Sequence, residues 1–443
     1  MGRKRRRQRL PQEPVQALVE SLSHDGRGVA RVDGKTTFIH GALPGERVLF
    51  VYTGKRRNHD EAEVVEVLEP SDQRVPPRCP HFGLCGGCSL QHLDAAAQIG
   101  YKQQTLADAF AHIGKVEPES WLPPLAGDTP WGYRRKARLG VKNVPRKGRV
   151  LVGFRERKSS YVADMNSCEV LHPKIGAALN DLSALVGALS IANRIPQIEV
   201  AMDDEHCVLI FRILDPLSGQ DRDKLCSFAR KQDFIIYIQD AGPDSITPLD
   251  DAADLHYALP EFELSLHFQP ADFTQVNSDM NRRMLQQAVE LLEPEASDRV
   301  LDLFCGIGNF SLPLAIHSGR VLGVEGAQEL VERARENARL NGLENVEFHR
   351  ANLYESLEKE TWMKQSFNKA LLDPPRSGAF EILEHLPHMG VERLVYVSCY
   401  PGTLGRDAGK LVHELGYRLV TAGVMDMFPH TAHVESIALF EKN

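Results

Sequence analysis

No stretch of the 443-residue sequence approaches the roughly 18 consecutive apolar residues that a membrane-spanning helix needs. The basic start, Met1 to Arg9, is not followed by an apolar run, so a secretory leader is not expected. Position 6 is Arg6 rather than Ser or Thr, so the Met1-Gly2 start does not read as a myristoylation signal. There is no long internal repeat, and no low-complexity run beyond the basic start. What is there is ordinary globular composition, 42% hydrophobic and 25% charged. At about 150 residues per domain the length predicts roughly three domains. The expectation is a cytoplasmic, multidomain chain with no membrane partner, acting as a monomer.

The net charge of −8 conceals an asymmetry. Residues 1–10 hold Arg3, Lys4, Arg5, Arg6, Arg7 and Arg9 and no acid, a net of +6. Residues 131–160 hold Arg134, Arg135, Lys136, Arg138, Lys142, Arg146, Lys147, Arg149, Arg155, Arg157 and Lys158 against Glu156 alone, a net of +10. The other 403 residues therefore carry −24. Two concentrated positive segments on an acidic body point to a polyanion, because local potential steers binding more than net charge does. The alternative is a solvated tail and a solvated hairpin face.

Without a leader, structural disulfides are not expected among the eight cysteines. Cys79, Cys85 and Cys88 stand in the spacing C-x5-C-x2-C, and Cys168 follows at a distance. Thiolates this close, with Gly86 and Gly87 between two of them, read as soft-metal ligands. A four-thiolate set suits either zinc or an iron–sulfur cluster, and the chemistry alone leaves both open.

Short alternating apolar runs fill residues 14–70: 15–19, 28–32, 37–39, 47–51 and 62–67, with turn residues recurring about every ten positions. This predicts a small β-barrel over 14–75, closed off by Pro76-Pro77. A helical period covers 94–113 and ends at Gly114. Residues 76–270 read as a central α+β domain, with a helix over 174–190 and a strand pair at 198–202 and 207–211. The helix at 94–113 is expected to pack on the catalytic domain. From 271 the pattern is strand–helix alternation: helix 279–292, strand 299–303, helix 309–317, strand 320–324, helix 327–341 and strand 345–349. Further strands are expected at 369–372, 393–397 and 436–440. This is a doubly wound, Rossmann-like parallel sheet whose last strand is antiparallel.

Val300 to Phe310 is a strand, a Gly-x-Gly turn and a helix start, in which Gly306 and Gly308 let backbone approach a ligand. A dinucleotide fingerprint would want a third glycine at 311, where Ser311 stands. With Asp302 before the turn and Glu325 ending the next strand, the pattern resembles class I S-adenosylmethionine (SAM) methyltransferases. Asp373-Pro374-Pro375-Arg376 and Ser398-Cys399-Tyr400-Pro401 lie at carboxyl ends of later strands, where such sheets place ligands. A thiolate there has a chemical use. C5 of a pyrimidine is a poor nucleophile until a thiolate adds at C6 and makes an enolate. After transfer a base must remove the C5 proton, and Glu435 in His433-Val434-Glu435 is the best-placed candidate.

Phe273-Thr274-Gln275-Val276-Asn277, Asp302 to Gly308, Asp373 to Arg376, Ser398 to Pro401 and His433 to Glu435 occur in the order found in RNA uracil-C5 methyltransferases. The cysteine quartet and the leading barrel, which looks like a TRAM domain, narrow the resemblance to those directed at 23S rRNA. It covers nearly the whole chain except the basic tail, 1–13. It implies a [4Fe-4S] cluster on Cys79, Cys85, Cys88 and Cys168, with 23S rRNA as the partner. It also implies SAM contacts from Gln275, Phe304, Asn309, Glu325, Asn352 and Asp373, with Cys399 as nucleophile and Glu435 as base. The runner-up, an RNA cytosine-C5 methyltransferase, would carry Pro-Cys where this chain has Asp373-Pro374-Pro375-Arg376. A non-catalytic RNA-binding or iron–sulfur assembly factor would leave Cys399 and Glu435 without a use.

Overall fold

The computed structural model describes Leu10 and residues 13–443, so the basic stretch at the start lies outside the described residues. Two compact units make up the chain. One runs up to Lys102 and takes in Pro429–His433; the other is Gln103–Phe428 with Val434–Asn443.

In the first unit the alternating runs form a six-stranded sheet in the order Val15–Leu18, Arg47–Lys55, His59–Glu69, Lys35–His40, Gly28–Val32, Ser21–Leu22. Strand alternation sends Val48 and Phe50 to one face, where they meet Ala17, Ala30, Ile39 and Ala62 in a single buried core. The strands at Arg47 and His59 outrun their expected lengths, and register shifts along their antiparallel pairing bend the ribbon over this core. The cysteine-bearing segment belongs to this unit: Val75 N–H donates to the His92 carbonyl at 3.0 Å, and Asp94 N–H to that of Gln73 at 2.9 Å. The structure thus divides near Lys102, beyond the expected boundary at 75.

The second unit contains the central sheet, in the order Ile246–Pro248, Ile235–Gln239, Cys207–Arg212, Gln197–Met202, Lys136–Val144, Arg149–Gly153. The expected strand pair is antiparallel, with Ile198 opposite Phe211. The helix expected over 174–190 is two pieces, Pro173–Gly176 and Leu179–Ala188. The break comes where the Gly176 carbonyl leaves the helical pattern to accept a hydrogen bond from Cys168 N–H at 3.1 Å. The helix expected over 94–113 is α-helical through Ala95–Ala109 and finishes as a wider π turn, Phe110–Gly114.

The catalytic sheet of this unit is built from β1 (Arg299–Leu303), β2 (Arg320–Glu325), β3 (Val346–Arg350), β4 (Lys369–Leu372), β5 (Arg393–Ser398), β6 (Tyr417–Met425) and β7 (Glu435–Lys442). Its order is β3-β2-β1-β4-β5-β7-β6, with the short strand Ser120–Trp121 on the outer edge of β6. The first five strands are parallel, and β7 runs antiparallel to both neighbours. Helices α1 (Ser278–Leu292), α2 (Ser311–His317), α3 (Gln328–Leu340) and α4 (Pro401–His413) complete the alternation. Asn277 caps α1 by accepting from Met280 N–H at 3.3 Å. Val208, Ile210 and Tyr237 of the central sheet share one buried cluster with Leu285, Val300, Val395 and Ile437. The core is therefore continuous across the expected boundary at 270. Among the described residues no helix is long and apolar enough to cross a membrane.

Candidate active site

Strand order reverses between β1 and β4, which opens a crevice at their carboxyl ends. Immediately after β1 the backbone takes positive φ at Phe304 (65°), Gly306 (55°) and Gly308 (92°). The amides of this turn are held within the protein, those of Phe304 and Cys305 by the Val324 carbonyl and that of Gly308 by the Cys305 carbonyl. A Cβ at Gly306 would meet no atom within 4 Å, so this backbone faces open space; one at Gly308 would collide with Leu312. Glu325, ending β2, accepts from Gly306 N–H at 3.1 Å and from Ala327 N–H at 3.0 Å. Asp302 is fully buried behind the turn, with one carboxyl oxygen taking the Ser311 hydroxyl at 2.5 Å and the other without a partner. Burial, reinforced by the charges of Asp373 and Glu325 against the Ser311 hydrogen bond, pushes its carboxyl up to about 8. Burial pushes Asp373, just past β4, up to about 7.

The other expected cofactor residues differ in how they are held. Phe304 sets its ring 5.8 Å from that of Tyr354. Asn352, following β3, donates to Glu355 at 2.7 Å. The Asn309 amide is engaged by the Tyr257 hydroxyl at 2.8 Å and exchanges hydrogen bonds with Asn281 at 2.9 and 3.1 Å. Gln275 lies on a loop held from the basic segment: Arg135 N–H donates to the Val276 carbonyl at 2.8 Å, and the Lys136 ammonium to the carbonyls of Pro270 and Asp272. Burial, opposed by the charges of Asp272 and Glu199, lowers that ammonium to about 8. Part of the charge read as RNA-facing is thus structural.

The nucleophile and base candidates are brought together by strand register. The antiparallel β5–β7 ladder ends with Ser398 opposite Ser436, so Cys399 and Glu435 are the next residues on the two chains. Glu435 is 3% exposed and is the first residue of β7, whereas Cys399 is half-buried. Burial, then the charges of Glu435 and Asp373, push the Cys399 thiol up to about 11, and the Arg376 charge pulls against them. Arg376 lies within the Asp-Pro-Pro-Arg motif, but sequence reasoning gave it no role of its own; its influence on Cys399 emerges only when β4 and β5 lie side by side.

None of the eight cysteines forms a disulfide. Cys79 and Cys85 are buried and Cys88 is half-buried in the first unit, where Gly87 N–H donates to the Cys85 sulfur at 3.4 Å. Cys168 lies in the second unit and is half-buried. Among the described residues no group of three or more His, Cys, Asp or Glu side chains is arranged to hold a metal ion. On the basic hairpin, Arg135 pairs with Asp204 at 2.5 Å, Arg138 with Glu199 at 3.1 Å and Lys147 with Asp164 at 2.5 Å. Lys142 and Arg146 are exposed.

Residues 253–443 match the family model of tRNA (Uracil-5-)-methyltransferase, and residues 8–49 that of the TRAM domain. The chain is 55% identical to the 23S rRNA (uracil(1939)-C(5))-methyltransferase RlmD of Alkalilimnicola ehrlichii, covering 100% of this chain and 99% of that protein. It is 52% identical to the protein of the same name from Methylococcus capsulatus, over 100% of both. The fold is that of the Pyrococcus abyssi tRNA (uracil-54, C5)-methyltransferase solved with S-adenosyl-L-homocysteine (TM-score 0.73, 22% identity, 96% of this chain and 100% of that one). With relatives this similar along its whole length, the chain belongs to the RlmD family of 23S rRNA (uracil-C5)-methyltransferases.

Proposed function

We propose that this protein transfers the methyl group of SAM to C5 of one uridine in 23S rRNA, with Cys399 as nucleophile and Glu435 as base. The observation that carries the reading is the end of the β5–β7 ladder at Ser398 and Ser436, where a half-buried thiol and a buried carboxylate come next on the two chains. The cofactor fits the turn after β1, where Gly306 faces open space and Glu325 and Asp373 flank it. SAM supplies an electrophilic methyl group on a cationic sulfonium. Gln275, Phe304, Asn309, Glu325, Asn352 and Asp373 would hold it.

The Cys399 sulfur bonds to C6 of the uracil, and the displaced π electrons make an enolate that is nucleophilic at C5. Once C5 carries the methyl group, Glu435 takes the C5 proton, the C5–C6 double bond re-forms and the C6–sulfur bond breaks, returning the thiolate. Glu435 is buried, so the carboxylate that takes this proton is kept from bulk water.

Thiols at Cys79, Cys85, Cys88 and Cys168 would supply the soft donors that a [4Fe-4S] cluster takes, and the Gly87 amide on the Cys85 sulfur is the kind of hydrogen bond such clusters receive. Methyl transfer needs no redox step, so the cluster's part is structural, organising the RNA-binding region. The enzyme acts as a cytoplasmic monomer, and the exposed Lys142 and Arg146 suit contact with RNA phosphates.

The test is incubation with SAM and 5-fluorouridine-substituted 23S rRNA. Fluorine cannot leave as a proton, so a covalent protein–RNA adduct accumulates, and Cys399→Ala abolishes it. Absence of an adduct, or one that persists in Cys399→Ala, overturns the mechanism.

A further inference from the structure

Asp407 lies in the second turn of α4 and is fully buried, although it contacts no part of the crevice assigned above. One of its carboxylate oxygens accepts the Tyr396 hydroxyl of β5 at 2.7 Å and the Ala379 N–H of the loop after β4 at 2.8 Å. The other accepts Arg406 Nε at 2.7 Å, and the same guanidinium donates through Nη2 to the Ser377 carbonyl at 2.9 Å. Thr403, one turn earlier on α4, donates its hydroxyl to the carbonyl of Arg376 itself at 3.2 Å. From the cofactor side the Tyr354 hydroxyl donates to the Gly378 carbonyl at 2.9 Å.

One buried carboxylate therefore joins three pieces of chain: the strand that ends at Ser398, just before Cys399, the helix that starts at Pro401, and the loop that carries Arg376. A buried carboxylate is costly to keep unless its lone pairs are filled, and here three donors from three elements fill them. The cost explains the specificity of the arrangement, since no displacement of the 374–379 loop leaves all three bonds intact.

We propose that Asp407 is a positioning residue that clamps the Arg376 loop to β5 and α4 and so keeps Arg376 at the Cys399–Tyr400 turn, where the Thr403 hydroxyl lies 3.2 Å from the Arg376 carbonyl and 3.1 Å from that of Tyr400. Arg376 opposes Glu435 and Asp373 in setting the charge state of that sulfur. Loosening the clamp leaves the two acids unopposed and makes the thiolate scarcer. This rests on Cys399 being the nucleophile, as proposed above.

The experiment follows alkylation of Cys399 by iodoacetamide, resolved by peptide mass spectrometry in the intact protein between pH 7 and 10. Asp407→Asn keeps the shape but sets an amide group against at least one donor. The expected result is alkylation of Cys399 slowed about fivefold at pH 8, as for a thiol losing a nearby cation, with SAM affinity within about twofold of the parent. Tyr396→Phe, which removes one donor and keeps the ring, shifts the rate in the same direction by less. In an Arg376→Ala background Asp407→Asn adds nothing further. Unchanged Cys399 alkylation in both Asp407→Asn and Tyr396→Phe, or full additivity with Arg376→Ala, overturns the proposal. The 5-fluorouridine adduct of the parent enzyme reads the nucleophile assignment separately, so the two readings fail by different results.

Discussion

Cys305 and Cys399 each follow a parallel strand of the same sheet, β1 and β5, yet the chain treats the two thiols in opposite ways. After β1 the backbone swings through positive φ at Phe304, Gly306 and Gly308, and the Cys305 thiol is closed in. Cys305 is 3% exposed, close behind Gly323 of β2, and burial with the charges of Asp302 and Glu325 raises its thiol far above the ordinary range. After β5 a helix begins almost at once at Pro401, which leaves Cys399 half-buried at the crevice mouth with Arg376 pulling against its acidic neighbours. A cysteine at a strand end is thus either closed in or left half-buried at the crevice mouth, and the conformation of the next few residues decides which.

The sharpest way to break this contrast is to remove each thiol in turn. Cys399→Ala should lower methyl incorporation into 23S rRNA by about 10³-fold or more, because the covalent route is lost, whereas Cys305→Ala should stay within about tenfold of the parent. Equal losses would erase the distinction. Next in size, Glu435→Gln should cut turnover about 10²- to 10⁴-fold while letting the Cys399–RNA adduct build up on unmodified RNA, visible as a shifted band in a denaturing gel. Turnover lost without adduct would place Glu435 before the addition step instead of after it. On the other side of the contrast, Gly306→Ala adds a Cβ at φ 55° in the space facing the crevice. The strain of about 1–2 kcal/mol and the intruding methyl should weaken SAM binding about tenfold by calorimetry, with Cys399 alkylation unchanged.

The β1 side of this comparison could be read in the sequence to within a residue or two, because Val300-Leu301-Asp302-Leu303 is a continuous buried run followed by Gly306 and Gly308. The expected helix from 309 starts at Ser311, since Phe304 to Phe310 are spent on the turn. The β5 side was legible only in part. Glu435 looked like a residue before the last strand, but it is that strand's first residue, and its neighbour across the sheet is fixed by a register that no local pattern carries. Asp407 gave no signal, because a polar residue inside a helix reads as solvent-facing until Tyr396 and Ala379 are brought to it by the fold. The charged segment at 131–160 misled in one respect. Its Lys136 turns inward to the loop carrying Gln275, and Asp204, Glu199 and Asp164 answer several of its other bases.

The smallest expected effect concerns Asp302, the acid behind the β1 turn, and its sign follows from its raised carboxyl. In the unfolded chain this group ionises near 3.8, and in the fold near 8. The fold therefore holds a proton that the unfolded chain has already released between these values, and stability falls as pH rises through that window. The slope from this one group is at most about 1.4 kcal/mol per pH unit, and it flattens once the folded carboxyl has itself ionised. Asp302→Asn keeps a neutral group of the same shape beside Ser311 and removes the slope. In thermal unfolding at pH 6, 7 and 8, the parent should lose melting temperature relative to Asp302→Asn as pH increases. Parallel curves would mean that Asp302 is already ionised in the fold, with its second oxygen partnered. The β1 turn would then differ from the β5 turn in access to its cysteine and not in the charge it buries.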